Sequence, residues 1–157
     1  MTEADGKRLS LDLIEIAKAA YVSTVDLSGF PQTRAMFNLR RKTEFPALSS
    51  FFAGIRDDVP TYFTTNTSSS KIVHIKANPK GCVYYSEPDE FRGLLLSGEF
   101  EIVSDRKIKE ALWQEGWEIY YPGGPHDPDH TVLMLRPAFG RYYHRLDTFN
   151  FNFKKRK

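Results

Sequence analysis

The chain has 157 residues, 41% of them hydrophobic, and a formal net charge of +2, which suits one packed domain and gives no reason to expect a nucleic-acid partner. Its one cysteine, Cys82, excludes an internal disulfide and fits a reducing cytoplasm. No long apolar run follows the mixed-charge start MTEADGKR, so neither a signal peptide nor a membrane span is expected. The expectation is one cytoplasmic domain over residues 1–157, with a mobile basic tail over 152–157.

Ser10 or Asp12 can cap a first helix, in which Leu13, Ile16, Ala17 and Ala20 recur at helical spacing. Tyr21–Val25 has strand composition, and Asp26-Leu27-Ser28-Gly29 is a turn sequence. Pro31–Arg41 alternates, which predicts a second strand with Thr33, Ala35, Phe37 and Leu39 on one face and Arg34, Met36, Asn38 and Arg40 on the other. Met36 among polar neighbours suggests that this second face covers something partly apolar. Lys42–Asp58 has no clean period and reads as an irregular excursion with one helical turn, whose aromatics Phe45, Phe51 and Phe52 need cover.

Tyr62–Tyr85 packs a strand, a hydroxyl-rich loop, a lysine, a short helix and another strand into one unit. Thr64, Thr65, Thr67, Ser68, Ser69 and Ser70 offer hydroxyls, a helix beginning near Ser69 or Ser70 points free N–H groups outward, and Lys71 adds a full charge. Such a cradle suits a phosphate. Read alone, the same run is a capped helix after a solvated loop.

Asn78-Pro79 stops that helix, Gly81–Ser86 is a strand, and Gly93–Ser104 is a long strand in which Gly98 marks a bulge or bend. Cys82 falls in this hydrophobic pattern as a buried thiol. Ser104 or Asp105 caps a helix with Ile108, Ala111 and Leu112 on its buried face, and Thr131–Leu135 and Phe139–Arg145 read as two last strands. His126-Asp127-Pro128-Asp129-His130 has the residue types of a metal site, but its glycines and prolines are turn chemistry and no metal is expected. Tyr120, Tyr121, Tyr142 and Tyr143 can stack on a ligand or fill a core. The order of elements points to a mainly β protein, an antiparallel barrel with peripheral helices. Closure, or pairing with a second subunit, would protect its edges.

Four segments together resemble the pyridoxamine 5'-phosphate oxidase-like, FMN-binding split-barrel family, in its short general-stress-protein-like branch. They are Tyr21–Asp26 with Gly29, Pro31 and Arg34-Ala35-Met36; Phe63–Lys71; Asn78-Pro79 before a hydrophobic strand; and Leu94–Asp105 before a helix with Trp113. The resemblance implies an antiparallel split β-barrel and a homodimer with an FMN cleft at the subunit interface. By position, Arg34, Ala35, Met36 and Phe37 would lie along the flavin, Thr64 and Thr65 would approach its ring or ribityl chain, and Ser69, Ser70 and Lys71 would hold its phosphate.

The chain also departs from the full oxidases: Ser70 stands where they carry an arginine, Gly93 where they use a glutamine, and Tyr143-His144-Arg145-Leu146 does not reproduce their Arg-Leu-His substrate motif. The expected function is an FMN-dependent oxidoreductase that passes electrons from a reduced nicotinamide to a small molecule, with strict pyridoxamine phosphate oxidation disfavoured and no catalytic side chain singled out. The alternative is a non-catalytic, stress-related protein that binds a flavin or another planar cofactor, haem or a deazaflavin. Haem ligation would have to draw on His74, His126, His130 or His144.

Overall fold

The computed structural model describes residues 2–55 and 59–154. Helix α1 (Glu3–Ile16) starts at a reciprocal cap, in which the Thr2 hydroxyl accepts from the Asp5 N–H and the Asp5 carboxylate accepts from the Thr2 N–H. This overturns the expected start at Ser10 or Asp12. Ser10 is buried within the helix, where its hydroxyl donates back to the Gly6 carbonyl and needs no cap role. Leu13 and Ile14 face the core, and Ile16 is exposed.

Strands β1 (Ala20–Val25) and β2 (Pro31–Met36) form the expected hairpin, its turn closed by the Asp26 carboxylate, which accepts from the Ser28 and Phe30 N–H groups. β2 ends at Met36 instead of running to Arg41. The buried Asn38 amide donates to the Ile14 and Ala17 carbonyls at 2.7 and 2.9 Å, satisfying the C-terminus of α1 and drawing the chain off the sheet. Arg40 is buried too, donating to the Ile55 and Pro60 carbonyls, so neither residue shares a face with Arg34. A 3₁₀ turn at Pro46–Leu48 and a short α2 (Ser49–Ala53) supply the helical turn of the excursion, of which residues 56–58 lie outside the described residues.

Strand β3 (Thr61–Asn66), helix α3 (Ser70–Ala77), strand β4 (Lys80–Glu87) and strand β5 (Arg92–Val103) follow as expected, though Cys82 is only half-buried. The β5 register slips at Ser97/Gly98, and a Cβ on Gly98 would fall 1.9 Å from the Arg136 carbonyl oxygen. Asp105 caps α4 (Arg106–Leu112), whose Leu112 is buried while Ala111, expected beside it, is exposed. The two strands expected around Arg136-Pro137 are one, β6 (His130–His144), because Pro137 sits opposite Gly98 at the bulge, where a missing N–H is tolerated. Strand β7 (Asp147–Asn152), absent from the sequence reading, pairs with the second half of β6. Asn152 belongs to β7 and Phe153 beyond it is buried, so these two do not belong to the expected mobile tail, and residues 155–157 lie outside the described residues.

Among the described residues the strands form one antiparallel sheet in the order β2-β1-β4-β5-β6-β3, with β7 alongside β3 on the outer edge of β6. The sheet does not close: β2 and β3 end it unpaired with each other, which makes it a split barrel. Alternate residues of β6 serve two cores. Leu133 and Leu135 pack with Leu13, Val22, Phe63 and Leu96, while Val132 and Met134 pack with Leu39, Leu48, Leu112 and Trp117. A strand covered on both faces needs no polar alternation, which explains the unbroken apolar run there.

Replacing Asn38 by Ala is expected to cost about 2–4 kcal/mol, because two buried carbonyls lose their donors. Asn38→Asp should cost more, since it turns an acceptor toward both carbonyls. Urea midpoints of the three proteins test this, and an aspartate variant as stable as wild type would refute the donor assignment.

Candidate functional site

The open edges of β2 and β3 wall a cleft of about 570 Å³, within the usual range of small-molecule sites. Arg34, Ala35, Met36 and Phe37 line it from β2 and the residue after it, Thr64 and Thr65 from β3, and Lys71 from the first turn of α3. The fold thus gathers these seven expected residues from three elements. Ser69 and Ser70 do not line the cleft; Ser69 is the α3 cap, its hydroxyl accepting from the Lys71 N–H at 3.3 Å. Because each edge strand has one free side, every second residue directs its N–H and C=O into the cleft, where a heteroaromatic edge can be hydrogen-bonded.

The rest of the lining was not anticipated in full. Trp117, Tyr120 and Tyr121 contribute to it together with Lys18, Arg41 and Glu44. Trp117 stacks on Phe37, with ring centroids 6.4 Å apart and planes 9° from parallel. Arg41 is paired with Glu44 at 3.3 Å. The tyrosines were recognisable as candidate stacking residues; Trp117 was not, because the ring it stacks on, Phe37, lies eighty positions away.

Electrostatics single out one corner. Burial, and after it the nearby Arg34 guanidinium, holds the Lys71 ammonium below the usual lysine range, and burial also lowers Arg34. Neither cation has a carboxylate partner among the described residues. Two half-buried, mutually repelling cations beside a helix N-terminus favour a bound anion. This donor set fits the phosphate of a flavin mononucleotide, and the Ala35-Met36-Phe37 strip with its facing aromatics fits a planar ring.

The hydroxyl loop is held in place rather than left free. Asn66 donates to the Asp129 carboxylate at 2.7 Å, the Ser68 N–H donates to it at 2.9 Å, and the Thr67 N–H donates to the Asp129 carbonyl at 2.8 Å. The Asn66 amide, then the Ser68 N–H, holds the Asp129 carboxyl below the usual range. Thr67 donates to the Pro128 carbonyl and lies 2.6 Å from the Thr131 hydroxyl. The cradle is therefore smaller than its sequence suggests, since Thr67 and Ser68 face the Asp127–Asp129 turn. That turn in turn accounts for the His/Asp cluster: Asp127 accepts from the Gly123 and Asp129 N–H groups, His126 reaches Glu110 at 2.6 Å, and His130 Nδ1 donates to the Pro125 carbonyl at 2.7 Å. None of the four histidines lines the cleft.

Gly93 has a steric reason. A Cβ there would lie 2.3 Å from the Tyr84 hydroxyl and 2.4 Å from the Tyr143 ring, because the two tyrosine hydroxyls meet above it. Burial, followed by the bond to Tyr143, pushes the Tyr84 hydroxyl up to about 12. A glutamine at this position would displace both rings.

Residues 50–156 match the family described as pyridoxamine 5'-phosphate oxidase like. Comparison with curated proteins gives no match. Among solved structures, a Clostridium acetobutylicum protein related to general stress protein 26 of B. subtilis, of the pyridoxinephosphate oxidase family, is 33% identical with a TM-score of 0.76, over 96% of both chains. General stress protein 26 of Bacillus anthracis is 19% identical with a TM-score of 0.68, over 92% of this chain and 98% of its own. A heme binding protein of Mycobacterium smegmatis shares the fold at 11% identity and a TM-score of 0.67, over 97% of this chain and 59% of its own. With a family match over most of its length and a full-length relative at one-third identity, the chain belongs to the pyridoxamine 5'-phosphate oxidase-like family.

Proposed function

We propose that the cleft holds FMN and that the protein is a flavin oxidoreductase passing electrons from a reduced nicotinamide to a small acceptor. The observation that carries this reading is the convergence of Arg34 and Lys71, without a carboxylate, at one end of an apolar and aromatic strip. Bound FMN supplies the redox chemistry. The chain's own residues bind and orient it: Arg34 and Lys71 hold the phosphate, the Thr64 and Thr65 hydroxyls and the free edge of β2 meet polar atoms, and Met36, Phe37 and Trp117 exclude water. A histidine-ligated haem is disfavoured by the absence of any histidine from the cleft lining.

The proposal includes a homodimer with two such clefts. Phe37, Ile119 and Tyr120 are 46, 78 and 52% exposed around the cleft, an apolar rim that a second subunit would cover. Sedimentation at roughly micromolar concentration, the lower end of ordinary specific association, should give a dimer. A monomer that still binds flavin would remove the dimer from the proposal.

The purified protein, as isolated or reconstituted with FMN, should show oxidised flavin absorption that bleaches with NADH or NADPH and returns in air. A protein that stays colourless after reconstitution contradicts flavin binding, and bound flavin that no nicotinamide bleaches contradicts the oxidoreductase. Lys71→Ala should weaken FMN by about ten- to a hundredfold, the range of a lost charge-assisted contact, and leave riboflavin unchanged.

The apo protein should respond in the opposite sense. Lys71 has a folded pKa below its unfolded value, so between the two the unfolded chain binds more protons and stability from this group rises with pH. At any pH below both, the charged lysine is a constant cost to the apo fold. Lys71→Met should therefore unfold no earlier than wild type at pH 7 in the absence of anions, with any gain small because the side chain is only partly buried. A clear drop in melting temperature would make Lys71 structural.

A further inference from the structure

We infer that Thr24 and His74 are positioning residues that set the spacing of the two cations at the anion corner. The inference rests on the reading of that corner as the FMN phosphate site. Arg34 Nη1 donates to the Thr24 hydroxyl at 2.8 Å, and that hydroxyl lies 2.9 Å from His74 Nδ1. A guanidinium can only donate, so Thr24 accepts from Arg34, and its hydroxyl keeps both a proton and a second lone pair for the bond to His74 Nδ1, whose direction the imidazole tautomer sets.

Thr24 is 1% exposed and alternates inward with Ala20 and Val22, at a strand position where valine has the same shape. A buried hydroxyl is costly unless bonded, and its hydrogen-bond partners among the described residues are Arg34 and His74. The relay joins β2 to α3 through β1. Lys71 lies three residues before His74 on α3, on the same face of the helix. Fixing His74 therefore fixes Lys71 relative to Arg34, against the repulsion between them. Only Nη1 of Arg34 is engaged by the chain, at Thr24 and the Val22 carbonyl, so among the described residues Nε and Nη2 are left for the ligand.

Flavin fluorescence titrations of the full chain with FMN and with riboflavin test this. Thr24→Val and His74→Leu should each weaken FMN by about three- to tenfold, the range of one lost hydrogen bond, and spare riboflavin. Thr24→Ser, which keeps the hydroxyl, should bind FMN as wild type does. On an Arg34→Ala background, Thr24→Val should add less than about a twofold loss, since the residue it positions is gone. Should Thr24→Val not fold, His74→Leu, a half-exposed change at the other end of the relay, carries the same test. A wild type that binds FMN no better than riboflavin sinks the phosphate site and the relay together. A wild type that prefers FMN, loses the preference in Arg34→Ala and keeps it in Thr24→Val and His74→Leu sinks the relay alone.

Discussion

Two sheet edges, β2 and β3, face one another across the cleft without forming the hydrogen bonds that would close the barrel. An unpaired edge leaves backbone groups in want of partners, so a fold that keeps two of them opposed must prevent their meeting. Here the separation has identifiable causes. Asn38 draws the chain after Met36 toward α1, and Phe37 and Trp117 stack inside the gap. The same features that hold the seam open supply a flat apolar wall and a row of free N–H and C=O groups.

At one end of that seam the fold accepts unfavourable electrostatics. Lys71 and Arg34 are half-buried together, burial lowering both and the Arg34 charge lowering Lys71 further, while the acidic residues nearby are committed elsewhere: Asp129 to the Asn66–Ser68 loop and Glu44 to Arg41. Half-buried cations without a carboxylate partner among the described residues cost stability that a bound anion would offset. The Asp129 clamp is the counterpart, since it orders the loop before α3 and so gives Lys71 a rigid base.

The departures from the full oxidases have physical content. Gly93 is the only residue type that fits beneath the Tyr84–Tyr143 hydroxyl pair, so the missing glutamine is part of a repacked surface. Ser70 in place of an arginine leaves the corner with Arg34 and Lys71 as its charged donors, which makes their relative placement matter more. The turn at Arg145 and the fully exposed Leu146 stand between β6 and β7, outside the cleft lining.

Local chemistry was legible from the sequence wherever neighbours along the chain decide the outcome. The Asp26 turn, the Ser69 cap, the Asn78-Pro79 stop and the strand composition of β1, β3 and β4 depend on residues within a short stretch of chain, and Gly98 announced the bulge because a strand interior rarely wants a glycine. What only the tertiary structure decided involves partners far apart in sequence. Asn38 and Arg40 alternate like strand residues yet turn inward, because the carbonyls they satisfy belong to α1 and to residues 55 and 60. β7 pairs on a strand edge whose existence depends on β6 running through Pro137, and Trp117 becomes a cleft residue by stacking on Phe37, eighty positions away. Lys71 and the hydroxyl run before it could be named from the local cradle pattern, whereas Arg34 was named only through the family resemblance. How the hydroxyl loop is oriented, and what holds Arg34 beside Lys71, were set by long-range hydrogen bonds to Asp129 and Thr24, which local periodicity does not encode.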